Sequence, residues 1–139
     1  HTIKNTVVTD ITGHKILYLG RTNPGSKHDK KMVDEEPVLF PRGSTIWMDL
    51  GYQGYKPPNV ASVLIPTKNR KMKKITESEK NENKRISKTR VHIEHGIGGI
   101  KRSKIVSDRY RNRKHDFDDR AILIAAGLHN FRMSLRYNS

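Results

Sequence analysis

Two stretches of helical character, residues 76–102 and 118–135, follow a run of short β-rich pieces in residues 3–66. That order constrains the fold more than any other feature. "IKNTVVTD" and "HKILYLG" read as two strands around a turn at "DITG", with Gly13 supplying the turn. Ser26 precedes Asp29 by three residues, a capping-box-like start, so "KHDKKMVDEE" is expected to be a short helix ending before Pro37. "STIWMDLGY" gives a strand over Thr45–Met48 that Gly51 breaks, and "NVASVLIP" gives another that Pro66 stops. Thr76 and Glu79 form a capping box and open the long helix. In the last helix, Ile124, Leu128, Phe131 and Leu135 recur at helical spacing. Strand, strand, helix, strand, strand, helix, helix predicts one α/β domain over residues 1–139, with a mixed sheet flanked by helices.

Charge narrows the partner. Lys and Arg number 28 against 14 Asp and Glu, a formal charge of +14, which points to a polyanion and most often to nucleic acid. The basic residues concentrate in "TKNRKMKK", residues 67–74, and in residues 101–114. No basic amphipathic helix carries a bulky apolar face of Trp and Phe, and no apolar run approaches the ~18 residues of a membrane span, so no membrane partner is expected. There is no cysteine, which excludes disulfides, zinc–thiolate sites and cysteine nucleophiles. The chain opens on His1 without a natural start, and an incomplete chain is expected.

One acidic residue stands out among these bases. At ~100° per residue, Arg90 lies about 40° from Glu94 around the helix, Gly98 about 40° and Lys101 about 20°. These four share a face beside the stripe of Ile86, Ile93, Ile97 and Ile100, the expected core side. Glu94 is thus expected at the core border, half buried yet reachable. An i, i+4 ion pair from Arg90 to Glu94 on a solvated helix would explain the line equally well. Gly96, Gly98 and Gly99 argue for more, since each weakens a helix by about 1 kcal/mol relative to Ala. They suggest close approach by another backbone or by a phosphate, or simply a bend.

A carboxylate in a basic groove suits phosphodiester cleavage and strand transfer, in which carboxylates hold two divalent ions. Hard oxygen ligands favour Mg2+, with Mn2+ as a substitute. Asp49, at the carboxyl end of a strand, is the best-placed partner for Glu94, although a turn cap before Gly51 would account for it too. His92 and His95 raise zinc, but they are three apart, lack a third ligand and do not form H-E-x-x-H.

The chain resembles the DDE-type transposases of bacterial insertion sequences, in the DDE superfamily endonuclease branch related to Harbinger elements. "PGSKHDKKMVDE", "MDLGYQGY", "TRVHIEHGIGGIKR", "DRYRNRKHDFDD" and "AAGLHN" carry the resemblance. The family signature Tyr-x2-Arg-x3-Glu-x6-Lys falls on Arg90, Glu94 and Lys101, with Ser87 in the tyrosine position. The resemblance implies a ribonuclease H-like fold, here lacking its first strand and the first catalytic Asp that strand would carry. Asp10 lies in a turn and does not replace it. Asp49 and Glu94 become the second and third catalytic carboxylates and metal ligands. Arg90, Lys101, Arg102 and Lys104 become DNA contacts. Asp29, in an "HD" pair, either braces the site or caps its own helix.

The resemblance further implies Mg2+-dependent cutting and joining of double-stranded DNA at transposon terminal repeats and in the target, by a homo-oligomer in the bacterial cytoplasm near the nucleoid. This chain alone is expected to be inactive. Two other classes compete: a non-enzymatic basic nucleic-acid binder, and a domesticated derivative that keeps DNA binding without transposition.

Overall fold

The computed structural model describes residues 2–68, 74–107, 114 and 116–137. It divides into two compact units, His28–Val91 and a second built from His1–Lys27 with His92–Ser139. The expected basic segments fall partly outside the described residues, at 69–73 and 108–113.

In the unit made of the two chain ends, β1 (Ile3–Lys4), β2 (Val7–Thr9), β3 (Ile16–Leu19) and β4 (Asn23–Pro24) form two antiparallel pairs. β2 pairs with β3 with Val7 opposite Leu19 and Val8 opposite Tyr18, then shifts register before Thr9. The expected turn closes through bonds from Asp10 N–H to the Lys15 carbonyl and from Gly13 N–H to the Asp10 carbonyl, both 3.0 Å. Gly13 has φ +70°, a conformation that costs glycine nothing. β1 and β4 form a separate short ladder, Ile3–Pro24 and Lys4–Asn23, where the sequence suggested only a loop at Asn23 and Pro24.

The same unit takes the last turns of α2 (Glu77–Lys101), a short α3 (Lys104–Ser107) and α4 (Phe117–Tyr137). Its core is Ile16, Ile100, Ala125 and Ala126, with Val7, Leu19, Val106 and Ile122 packed around it. Small residues on the buried face of α4, Ala121, Ala125 and Ala126, let the helix backbone approach its neighbours closely. The stripe that carried the sequence periodicity points the other way: Ile124, Leu128, Phe131 and Leu135 are all more than half exposed. Periodicity finds the helix but not its inner face, because α4 is apolar on both sides.

The unit His28–Val91 holds α1 (Asp29–Glu35), β5 (Thr45–Trp47), β6 (Ser62–Leu64) and the first turns of α2. β5 and β6 pair in parallel, Thr45 to Ser62 through Trp47 to Leu64. Met32, Val33, Val38 and Ile86 are its buried apolar residues. The capping box at α2 forms: Glu79 N–H donates to Thr76 Oγ1 at 3.2 Å, and Thr76 N–H donates to the Glu79 carboxylate at 2.8 Å. The one expected at α1 does not. α1 starts at Asp29 with His28 as its cap and no side-chain cap bond. The side chain of Asn83 on α2 pins the loop after β6, accepting from Thr67 N–H at 2.8 Å and donating to its carbonyl at 3.0 Å.

The architecture is therefore mixed α/β, but among the described residues the strands form three separate two-stranded pairs where one mixed sheet was expected. With strands of two to four residues, no described strand pairs on both of its sides.

Candidate functional site

Asp49 follows β5 directly. Met48 N–H still donates to the Leu64 carbonyl at 2.9 Å, so Asp49 is the first residue past the parallel ladder. It caps a single 3-10 turn, Leu50–Tyr52, and its Oδ1 accepts the Leu50 N–H at 2.7 Å. The turn-cap reading and the strand-end reading are thus both realised. The guanidinium of Arg90 donates to the same Oδ1 at 3.2 Å, with the two side chains 51% and 46% exposed. Oδ2 accepts no hydrogen bond among the described residues. A half-exposed carboxylate with one oxygen not hydrogen-bonded is chemically suited to a hard divalent cation.

Asp29 approaches the same turn. α1 lies against Leu50–Tyr52, and a Cβ on Gly51 would overlap the Asp29 carboxylate. At Gly51 the missing side chain leaves room for the Asp29 carboxylate, which lies beside the turn that Asp49 caps.

Glu94 sits on α2 in the other unit and is exposed, not half buried. Of the expected core stripe, Ile86 and Ile100 are buried, whereas Ile93 and Ile97 are partly exposed. The three glycines after Glu94 separate cleanly. A Cβ on Gly96 would come within 2.6 Å of the Gly13 carbonyl oxygen, and one on Gly99 would overlap the His129 ring. Gly98 is exposed, and a Cβ there would meet nothing within 4 Å. Two glycines thus serve packing against hairpin and α4, and the third faces open space.

Lys101, Arg102 and Lys104 are exposed where α2 ends. Cations there also complement the helix dipole. The His92 and His95 rings meet edge to face, 6.5 Å between centroids. Among the described residues, no three His, Asp or Glu side chains converge closely enough to hold a metal ion. Asp10 belongs to the hairpin turn. Burial would raise its pKa, but bonds from Lys15 N–H, Thr12 and the His14 backbone, with the His14 charge, hold it below the usual carboxylate range.

Two residues the sequence reading left without a role lie in "AAGLHN". Asn130 pairs with both backbone groups of Ile16, accepting at 2.7 Å and donating at 2.8 Å. His129 is 2% exposed, and its Nε2 lies 3.0 Å from the His14 carbonyl. Because a carbonyl only accepts, Nε2 carries the proton. Nδ1 is buried with no hydrogen-bond partner among the described residues. Burial, then the charges of Arg132, Arg102 and His14, push this imidazole below its ordinary pKa, outweighing the bond to His14 that favours the charged form. The small residues of the motif fit the buried helix face, but a single sequence gives no sign that its polar pair grips the hairpin.

Residues 1–130 match the DDE superfamily endonuclease family, and the chain belongs to it. It is also 32% identical over 136 residues to the probable transposase for insertion sequence element IS702 of Microchaete diplosiphon. That similarity covers 98% of this chain and 48% of the relative, so the chain spans about half of that protein's length. No solved structure matches it. Among the described residues no helix is long and apolar enough to cross a membrane.

Proposed function

We propose that this chain is the part of an insertion-sequence transposase that carries two catalytic carboxylates, Asp49 and Glu94, on a ribonuclease H-like arrangement. The observation that carries this reading is Asp49 at the end of a parallel strand, Oδ2 open, within a match to the endonuclease family over residues 1–130. The order of hairpin, short helix, parallel pair and long helix supports the ribonuclease H-like reading. Bound Mg2+, or Mn2+ in its place, would supply two-metal phosphodiester chemistry. Asp49 and Glu94 contribute oxygen ligands. Lys101, Arg102 and Lys104 hold the phosphates of double-stranded DNA at terminal repeats and in the target. Homo-oligomers would act on paired ends.

The test is Mn2+ binding and DNA binding by the purified chain and by Glu94→Ala. A metal-holding enzyme loses divalent-ion binding on this change. A plain basic binder keeps DNA as well or better once a repelling charge is gone, with no change toward Mn2+. In a plasmid-nicking assay with Mg2+ the 139-residue chain is expected to be inactive by itself, because it spans about half the length of the transposase it matches. Clear nicking that Asp49→Ala abolishes would overturn that expectation.

A further inference from the structure

Arg90 stands in the family signature as a DNA contact, yet its guanidinium lies on a carboxylate 41 residues away in sequence. From this geometry we infer that Arg90 is the resident counter-ion of Asp49: it holds the carboxylate by Oδ1 and competes with a divalent cation for its charge. This rests on the reading of Asp49 as a metal ligand, and it makes Arg90 a positioning residue, acting through Asp49.

Three observations carry it. First, Asp49 is fixed without Arg90, because it follows a hydrogen-bonded strand end and caps the next turn with the same oxygen. Second, both donors fall on Oδ1, which leaves Oδ2 for a cation. Third, the pair is about half exposed, where an ion pair contributes little to stability. Its consequence therefore lies in the local charge. A cation at Oδ2 would sit near the guanidinium and be repelled by it. Removing Arg90 relieves that repulsion, while the Leu50 N–H still orients the carboxylate. The net effect is tighter metal binding.

The experiment is Mn2+ titration without DNA on the full chain, followed by water-proton relaxation, with thermal melts to confirm folding. Arg90→Gln is expected to bind Mn2+ several-fold tighter, on the order of three- to tenfold from like-charge repulsion at a half-exposed site. That gain should vanish in the Asp49→Ala background. Unchanged or weaker binding in Arg90→Gln, with wild-type binding that depends on Asp49, overturns the inference. Mn2+ binding indifferent to Asp49→Ala removes the metal reading of Asp49 and the competition with it. The pairing has its own metal-free readout, the Arg90 guanidinium N–H resonances. A shift in Asp49→Ala supports the counter-ion contact, and no shift overturns it.

Discussion

His129 shows how one buried ring can tie stability to pH. Nε2 donates to the His14 carbonyl, and among the described residues no acceptor faces Nδ1 should it take a second proton. Protonation would bury a charge and leave the new N–H unbonded. The folded pKa is therefore below the ordinary value, so the unfolded chain binds the proton more readily. This contribution is complete above the unfolded pKa of about 6.5 and is lost as pH falls below it toward the folded pKa. Melting temperature should fall between pH 7.5 and 5 in wild type. In His129→Gln the curve should start lower and be flatter. Asp10, whose pKa is also depressed, contributes stability that is complete above the ordinary carboxylate pKa and is lost only in the more acidic range, as its carboxylate protonates.

At the scale of elements, α2 is the informative one. Its start obeys local rules, since the Thr76–Glu79 box forms where the sequence places it. Its glycines do not act as a group. Gly99→Ala drives a methyl into the buried His129 ring and should be destabilising by a few kcal/mol, the range of overpacked sites. Gly98→Ala meets open space and should be stabilising by up to about 1 kcal/mol through helix propensity. Denaturant melts of the two variants check this opposite pair of signs. If Gly98 leaves room for a phosphate, its alanine variant should also bind DNA more weakly despite the added stability.

For the whole molecule, a formal charge of +14 makes association with DNA salt-dependent. Each of Lys101, Arg102 and Lys104 that contacts a phosphate should reduce the slope of log affinity against log salt by about 0.9 when replaced by alanine. Fluorescence anisotropy on a short duplex across a salt series measures it, and an unchanged slope in the triple variant would remove these residues from the interface. α4 adds a second property at this scale. Leu123, Ile124, Leu128 and Phe131 are each more than half exposed along one helix. So broad an apolar face on a basic chain is an aggregation liability in isolation.

The sequence by itself determined the order of the main elements, the hairpin turn and the cap of α2, because short-range sterics and hydrogen bonding set these, and its motifs carried the resemblance to the family. It also singled out Asp49 and Glu94 by residue type and position along their elements. Tertiary structure decided what no local rule contains. The inner face of α4 followed from the close packing of its alanines, although its larger side chains carried the stronger pattern. Gly96 and Gly99 were set by partners more than 25 residues distant, the Gly13 carbonyl and the His129 ring. The contact of Arg90 with Asp49 spans 41 residues, beyond the reach of helical periodicity. Periodicity describes neighbours within an element, whereas these contacts exist only once separate elements pack together.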